Sequence, residues 1–150
     1  MNLEKNIMDR MKTAMKAKDT GALRTLRAVK AELLKEKTKE GATGELTEAD
    51  EIRILSKMAK QRKDSIEIYQ TQNRQDLSDI EAEELKILQQ FLPEQMGEEE
   101  LTAKLQNIIE RTGVQSASEM GKVMGIAMKE LAGKADGKLI SATVRKLLSQ

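Results

Sequence analysis

Glu81 and Glu84 stand three residues apart in a stretch with helical periodicity, so their carboxylates share one face. Such a pair has the chemistry for an acid–base couple or for oxygen ligation of a hard cation. It also suits an ion pair with a nearby arginine. Lys57, Lys60 and Lys63 recur at i, i+3 and i+6, with Arg53 one turn earlier. That stripe is either a solvated helix face or a set of phosphate contacts. The run Gly133-Lys-Ala-Asp-Gly137-Lys138 approaches a phosphate loop but misses the pattern. A phosphate loop needs four residues between its glycines and Ser or Thr after the lysine; here there are three, and Leu139 follows. It reads instead as a glycine cap, a turn and a new helix start, whose N-terminus can hold one anion. Cys and His are absent, which removes thiol nucleophiles, imidazole bases and Cys/His zinc sites.

The elements that carry these residues are helices. Strand-favouring aromatics are limited to Tyr69 and Phe91, and the single proline is Pro93. Leu, Ala, Met, Glu, Lys and Gln dominate, and these lose little rotamer freedom in a helix. The fold class is therefore all-α. Apolar spacing predicts a helix over about 2–17, a turn at Asp19-Thr20-Gly21, and a second helix over about 22–39. A third follows Thr47, with Asp50 and Glu51 as capping support, and runs to about Tyr69. A fourth is predicted from Ser78, with Glu81 completing a capping box, and must stop by Pro93. Three shorter helices are predicted over about 98–112, 117–132 and 138–149, with Ser116 and Glu119 capping the middle one. Gly113 and Gly133 sit where C-terminal cap glycines belong. The domain boundary falls after Pro93, giving an N-terminal helical bundle or hairpin domain, 1–93, and a small three-helix domain, 94–150.

Placing each helix on a wheel puts some charges on the apolar side. Glu81 and Glu84 fall inside the apolar arc of the fourth helix, and Arg62 near the middle of that of the third. Lys30 falls within the arc of the second helix and Arg27 at its edge. A buried charge must pair, so Arg27 and Arg62 are expected to form a structural ion-pair network with Glu81 and Glu84. Gly121 and Gly125, four apart in the sixth helix, predict close packing against a neighbouring helix; a Met-rich adaptable interface is the alternative.

The chain carries 26 basic and 25 acidic residues, a net charge of +1, but the charges are segregated. Arg10 to Lys39 holds ten basic and three acidic residues, a local +7; Asp76 to Glu84 holds five acidic and no basic ones. No run approaches the ~20 apolar residues of a membrane span, and the first residues show no apolar signal core. Together with the missing cysteines, this leads to the expectation of a cytoplasmic protein with no membrane partner.

Several motifs together resemble a known family. They are Leu23-Arg-Thr-Leu-Arg27 with Ala31-Glu-Leu33, KQRKDSIEIY at 60–69, and Arg74, Asp76-Leu77, Glu81, Glu84 and Phe91-Leu-Pro93. Met120-Gly-Lys-Val-Met-Gly125 and Ala135-Asp-Gly-Lys138 complete the set. Over nearly its whole length the chain resembles the YqeY family, bacterial GatB/YqeY-domain proteins. One departure is Asn73, where the family pattern has glycine before the arginine; Asn tolerates left-handed geometry. The resemblance implies two helical domains, the second similar to the tail of GatB, the B subunit of the glutamyl/aspartyl-tRNA amidotransferase. That tail helps to hold tRNA, whereas amidation chemistry sits in domains without counterpart here.

The resemblance therefore implies a non-catalytic, tRNA-associated accessory protein. The alternatives are a protein-interaction adaptor, or a contributor to carbon–nitrogen ligase activity with glutamine as amide donor, acting only with partner subunits. The nucleic-acid-binding candidates are Lys57, Lys60 and Lys63 with Lys122, Lys129, Lys134, Lys138, Arg145 and Lys146. The missing aromatics argue against stacking on unpaired bases, so the expected ligand is a folded RNA read by shape and phosphate. The expected partners are tRNA and an aminoacyl-tRNA amidotransferase or synthetase, without DNA. No catalytic residue, cofactor or metal is expected.

Overall fold

The computed structural model describes residues 2–149. Among them are seven α-helices and no strand, an all-α fold. The chain divides between Leu92 and Pro93 into two compact units.

The first unit holds α1 (Leu3–Lys16), α2 (Thr20–Thr38), α3 (Glu48–Thr71) and α4 (Gln75–Gln89). Asn2 caps α1 through its side-chain oxygen, which accepts from the Lys5 amide at 3.2 Å. Asp19 caps α2 by accepting from the Ala22 amide at 3.0 Å. Thr20 and Gly21, predicted as turn, are therefore already helical, because the cap sits one step earlier. Thr47 and Asp50 close a reciprocal capping box at the start of α3, each satisfying an amide that the first turn leaves open.

Asn73 reverses the chain between α3 and α4 with a left-handed φ of 57°. α4 then begins at Gln75, not at the predicted Ser78. Arg74 takes the N-cap position and helical geometry resumes at Gln75, so Ser78 lies inside the helix, buried, and makes no capping box with Glu81. α1 packs along α2, α3 along α4, and α2 against both α3 and α4. Leu3 and Ile7, Leu26, Val29 and Leu33, Ile54, Leu55 and Met58, and Ile87, Leu88 and Phe91 form one core. The Arg10 guanidinium lies 5.2 Å from the Phe91 ring centre, a cation–π contact between α1 and the chain end of this unit.

The second unit holds α5 (Glu98–Thr112), a short 3-10 turn (Ala117–Glu119), α6 (Met120–Glu130) and α7 (Gly137–Leu148). Its own core joins Leu101, Leu105 and Ile108 to Val123, Ala127, Ile140 and Val144. Gly113 ends α5 with φ 70°, as a C-terminal cap glycine should. The predicted box of Ser116 and Glu119 does not form. Glu119 is spent in the 3-10 turn, and the Ser116 hydroxyl meets that of Ser118 at 2.8 Å.

The expectation of tight packing at Gly121 and Gly125 is also corrected. A Cβ placed on either would meet nothing within 4 Å. Val123 and Ala127 occupy the core face of α6, and the glycines fall on its exposed side.

Candidate functional site

The acidic stretch of α4 meets arginines from two other helices. Glu84 is buried, 8% exposed, on the face of α4 that packs against α2 and α3. One of its carboxylate oxygens accepts from Arg24 Nε at 2.8 Å and the other from Arg62 Nε at 3.1 Å. Glu81, one turn earlier and half-buried, lies 4.0 Å from Arg62. The hydrogen bond to Glu84 raises the Arg24 pKa further above its ordinary value, so the guanidinium stays charged.

Arg24, not Arg27, is thus the α2 member of this network. Arg27 is exposed and has no ion pair among the described residues. The reason is local. Gly21 lies against the end of the Glu83 side chain, whose carboxylate would collide with a Cβ on Gly21. That glycine marks the face of α2 turned toward α4. Arg24, nearly one turn later, follows that face, whereas Arg27 is rotated about 60° beyond it. Gly21 was a sequence signal for that face, because a buried glycine within a helix marks where a neighbouring side chain comes close.

This arrangement limits the chemistry of the carboxylate pair. Both oxygens of Glu84 are engaged by charged donors, so an acid–base or ligand role would first have to break two charge-assisted bonds. Among the described residues no group of three or more Asp or Glu side chains is placed to hold a metal ion.

The lysine stripe of α3 is interrupted. Lys57 and Lys60 are exposed and carry no ion pair among the described residues, whereas Lys63 is half-buried and has an interaction of its own. Arg53 turns away to Glu36, at 2.6 Å. Glu36 therefore sits below the usual carboxylate range, held there by hydrogen bonds from Lys39 and Arg53.

In the second unit Lys122, Lys129, Lys134, Lys138, Arg145 and Lys146 are all exposed. From Met120 to Ser149 these six face only two acidic residues, Glu130 and Asp136. Both acids are occupied. Glu130 bridges to Arg111 at 2.8 Å, and that hydrogen bond holds its carboxyl below the ordinary range. Asp136 caps α7, accepting from the Lys138 amide at 3.0 Å. The turn between α6 and α7 is pinned by the Met96 amide, which donates to the Lys134 carbonyl at 2.9 Å, and by Gln95, which donates to the Gly133 carbonyl at 2.6 Å. The cations of this region are therefore carried on a fixed backbone.

No helix among the described residues is long and apolar enough to cross a membrane. The chain is 31% identical over 144 residues to altered inheritance of mitochondria protein 41, mitochondrial, of Pyrenophora tritici-repentis. That alignment covers 92% of this chain and 76% of the relative. A protein of the same name from Clavispora lusitaniae is 33% identical over 101 residues, 66% of this chain and 58% of the relative. An uncharacterized protein of Schizosaccharomyces pombe is 31% identical over 93 residues, 62% of this chain and 74% of its own length. None of these names denotes an enzyme, and all three relatives are fungal. Residues 4–148 match the family described as Yqey-like protein, so the match spans nearly all of both units. The chain belongs to the Yqey-like protein family.

Proposed function

We propose that this protein is a tRNA-associated accessory module that binds RNA phosphates through the cations of α6, the turn after it and α7. One observation carries the reading. Lys122, Lys129, Lys134, Arg145 and Lys146 are exposed without a carboxylate partner among the described residues, while both acids of the region are engaged elsewhere. Unpaired cations on a rigid backbone suit phosphate positioning and carry no base readout. The resemblance to the GatB tail supports tRNA as the RNA, with an aminoacyl-tRNA amidotransferase or synthetase as the protein it accompanies. The two bonds on Glu84 favour binding over catalysis, and the cysteine-free sequence is compatible with the cytoplasm.

The test is fluorescence anisotropy of labelled unfractionated tRNA with the full chain. Neutralising about four phosphates should cost about a hundredfold in affinity between roughly 50 and 200 mM salt. Charge reversal of Lys122, Lys129 and Lys134 together should flatten that salt slope and weaken binding. Reversal of Lys57 and Lys60 should have a smaller effect. No binding at the lowest salt, or binding indifferent to the triple reversal, overturns the proposal.

A further inference from the structure

We infer that the outer side of the α1–α2 hairpin is a docking groove for an acidic amphipathic helix of a partner protein. Met8, Met15 and Leu34 are 50%, 55% and 60% exposed, high values for large apolar side chains. They fall together. At about 100° per residue, Met15 and Met8 lie about 80° and 100° round α1 from the buried Ile7, and Leu34 about 80° round α2 from the buried Leu26. Glu4 and Lys37 lie on the same flanks and join the two helices at 2.8 Å, so these flanks face one another across the antiparallel pair.

Met8 and Met15 share their flank of α1 with Lys12, and Leu34 shares its flank of α2 with Arg27 and Lys30. Lys12, Arg27 and Lys30 are exposed and have no ion pair among the described residues. Glu4 is paired with Lys37 and Glu32 with Lys35, which leaves Asp9, beside Met8, as the one carboxylate of this margin set against Lys12, Arg27 and Lys30. An apolar margin on two facing helix flanks, with three unpaired cations against one unpaired carboxylate, is complementary to a helix with leucines on one stripe and carboxylates beside it. Methionine suits such a groove because its flexible thioether adapts to the incoming side chains. A second copy presenting the same face would set cation against cation. RNA would leave three apolar side chains without a partner, and a lipid surface favours the bulky aromatics that this face lacks.

The probe is a synthetic helix with leucine at i, i+3, i+4 and i+7 and glutamate elsewhere. It is titrated into the full chain labelled at its methionine methyls and followed by NMR. Saturable shifts at Met8 and Met15, with the buried Met58 unmoved, are expected. Met8→Ser with Leu34→Ser should weaken binding at least about tenfold. Lys12→Glu with Lys30→Glu should weaken it and remove its salt dependence. All four changes are on exposed side chains, and an unchanged melting temperature confirms folding. Equal binding of a peptide of the same composition with its leucines out of phase would overturn the inference. So would variants that bind like the parent, or self-association through this face. Stronger Met8 and Met15 shifts with phosphatidylglycerol vesicles or with total tRNA would overturn it in favour of lipid or RNA.

Discussion

Replacing Glu84 with Gln keeps the side-chain volume and one carbonyl acceptor but deletes the negative charge that two guanidiniums share. The cost is set by which arginine loses its partner. The Arg24 side chain is 52% exposed, so water replaces the lost carboxylate cheaply, as at most surface pairs. The Arg62 side chain is 19% exposed and keeps only the longer 4.0 Å approach to Glu81. A hydrogen bond to a charged group contributes about 1.5–3 kcal/mol, so Glu84→Gln should destabilise the first unit by about 2 kcal/mol, carried mainly by Arg62. For a cooperative unit of this size that lowers the melting temperature by about 10 °C. Tyr69 is the only tyrosine and lies on α3, so its fluorescence reports the first unit alone. Arg62→Met should lower that transition substantially, Arg24→Met by the equivalent of about 1 kcal/mol or less. In the double variant Glu84→Gln/Arg62→Met the losses should fall short of additive. A transition that is unchanged or raised in Glu84→Gln would refute the structural reading. So would Arg24→Met costing more than Arg62→Met.

Gly125→Ala, inside α6 with nothing near its Cβ position, should raise stability by about 1 kcal/mol in thermal unfolding followed by circular dichroism. Gly121→Ala, in the first turn of that helix, should raise it by less; a fall in either would reveal a neighbour pressed on that face. Asn73→Gly should be near neutral and Asn73→Ala should cost about 1 kcal/mol, because φ 57° penalises a side chain that cannot bond locally; equal stability of the two would remove the argument. Asp50 accepts from the Thr47 amide and hydroxyl, which lowers its pKa. Its contribution is therefore complete above the ordinary aspartate value of about 3.9 and is lost as pH falls through the lower folded value, since the unfolded chain binds the proton first. The gap in melting temperature between the parent and Asp50→Ala should accordingly close in acid; a gap that widens there would contradict it.

The helices were legible because their signals are local. Thr47 with Asp50, Gly113 and Pro93 act within a turn of where they stand, and apolar spacing set the remaining bounds to within a few residues. Ser78 shows the limit. Its capping pattern with Glu81 is real in the sequence, but Asn73 had already reversed the chain and α4 started without it. At the candidate site the wheel identified Glu84 and Arg62 as charges on apolar faces, because burial direction follows from the helical period. It could not identify which residue of α2 would reach them. That depends on which face of α2 turns toward α4, a relation between helices that no single helix records. Gly121 and Gly125 failed for the same reason in reverse, since their spacing permits a close neighbour without supplying one.

A charge inside an apolar arc can be accommodated in two ways, and this chain uses both. The arc of α4 is faced from two sides, so Glu84 is enclosed and must be paired, and α2 and α3 each supply an arginine. The arc of α2 is wider than its contact with the core. Leu26, Val29 and Leu33 are buried, while Leu34 is exposed and Leu23 only partly covered. Lys30 and Arg27 fall on this uncovered margin, where a cation needs no partner because water solvates it. A helix-wheel argument treats the two cases alike, since it measures the width of an arc and not what stands against it. The distinction has a functional consequence. Enclosed charges such as Glu84 are explained within the unit. The exposed margin of α2, with the methionines of α1 beside it, has no such internal explanation, because neither Leu34 nor Met8 adds to the core. That margin is therefore where selection for a partner, rather than for stability, would be read in this unit.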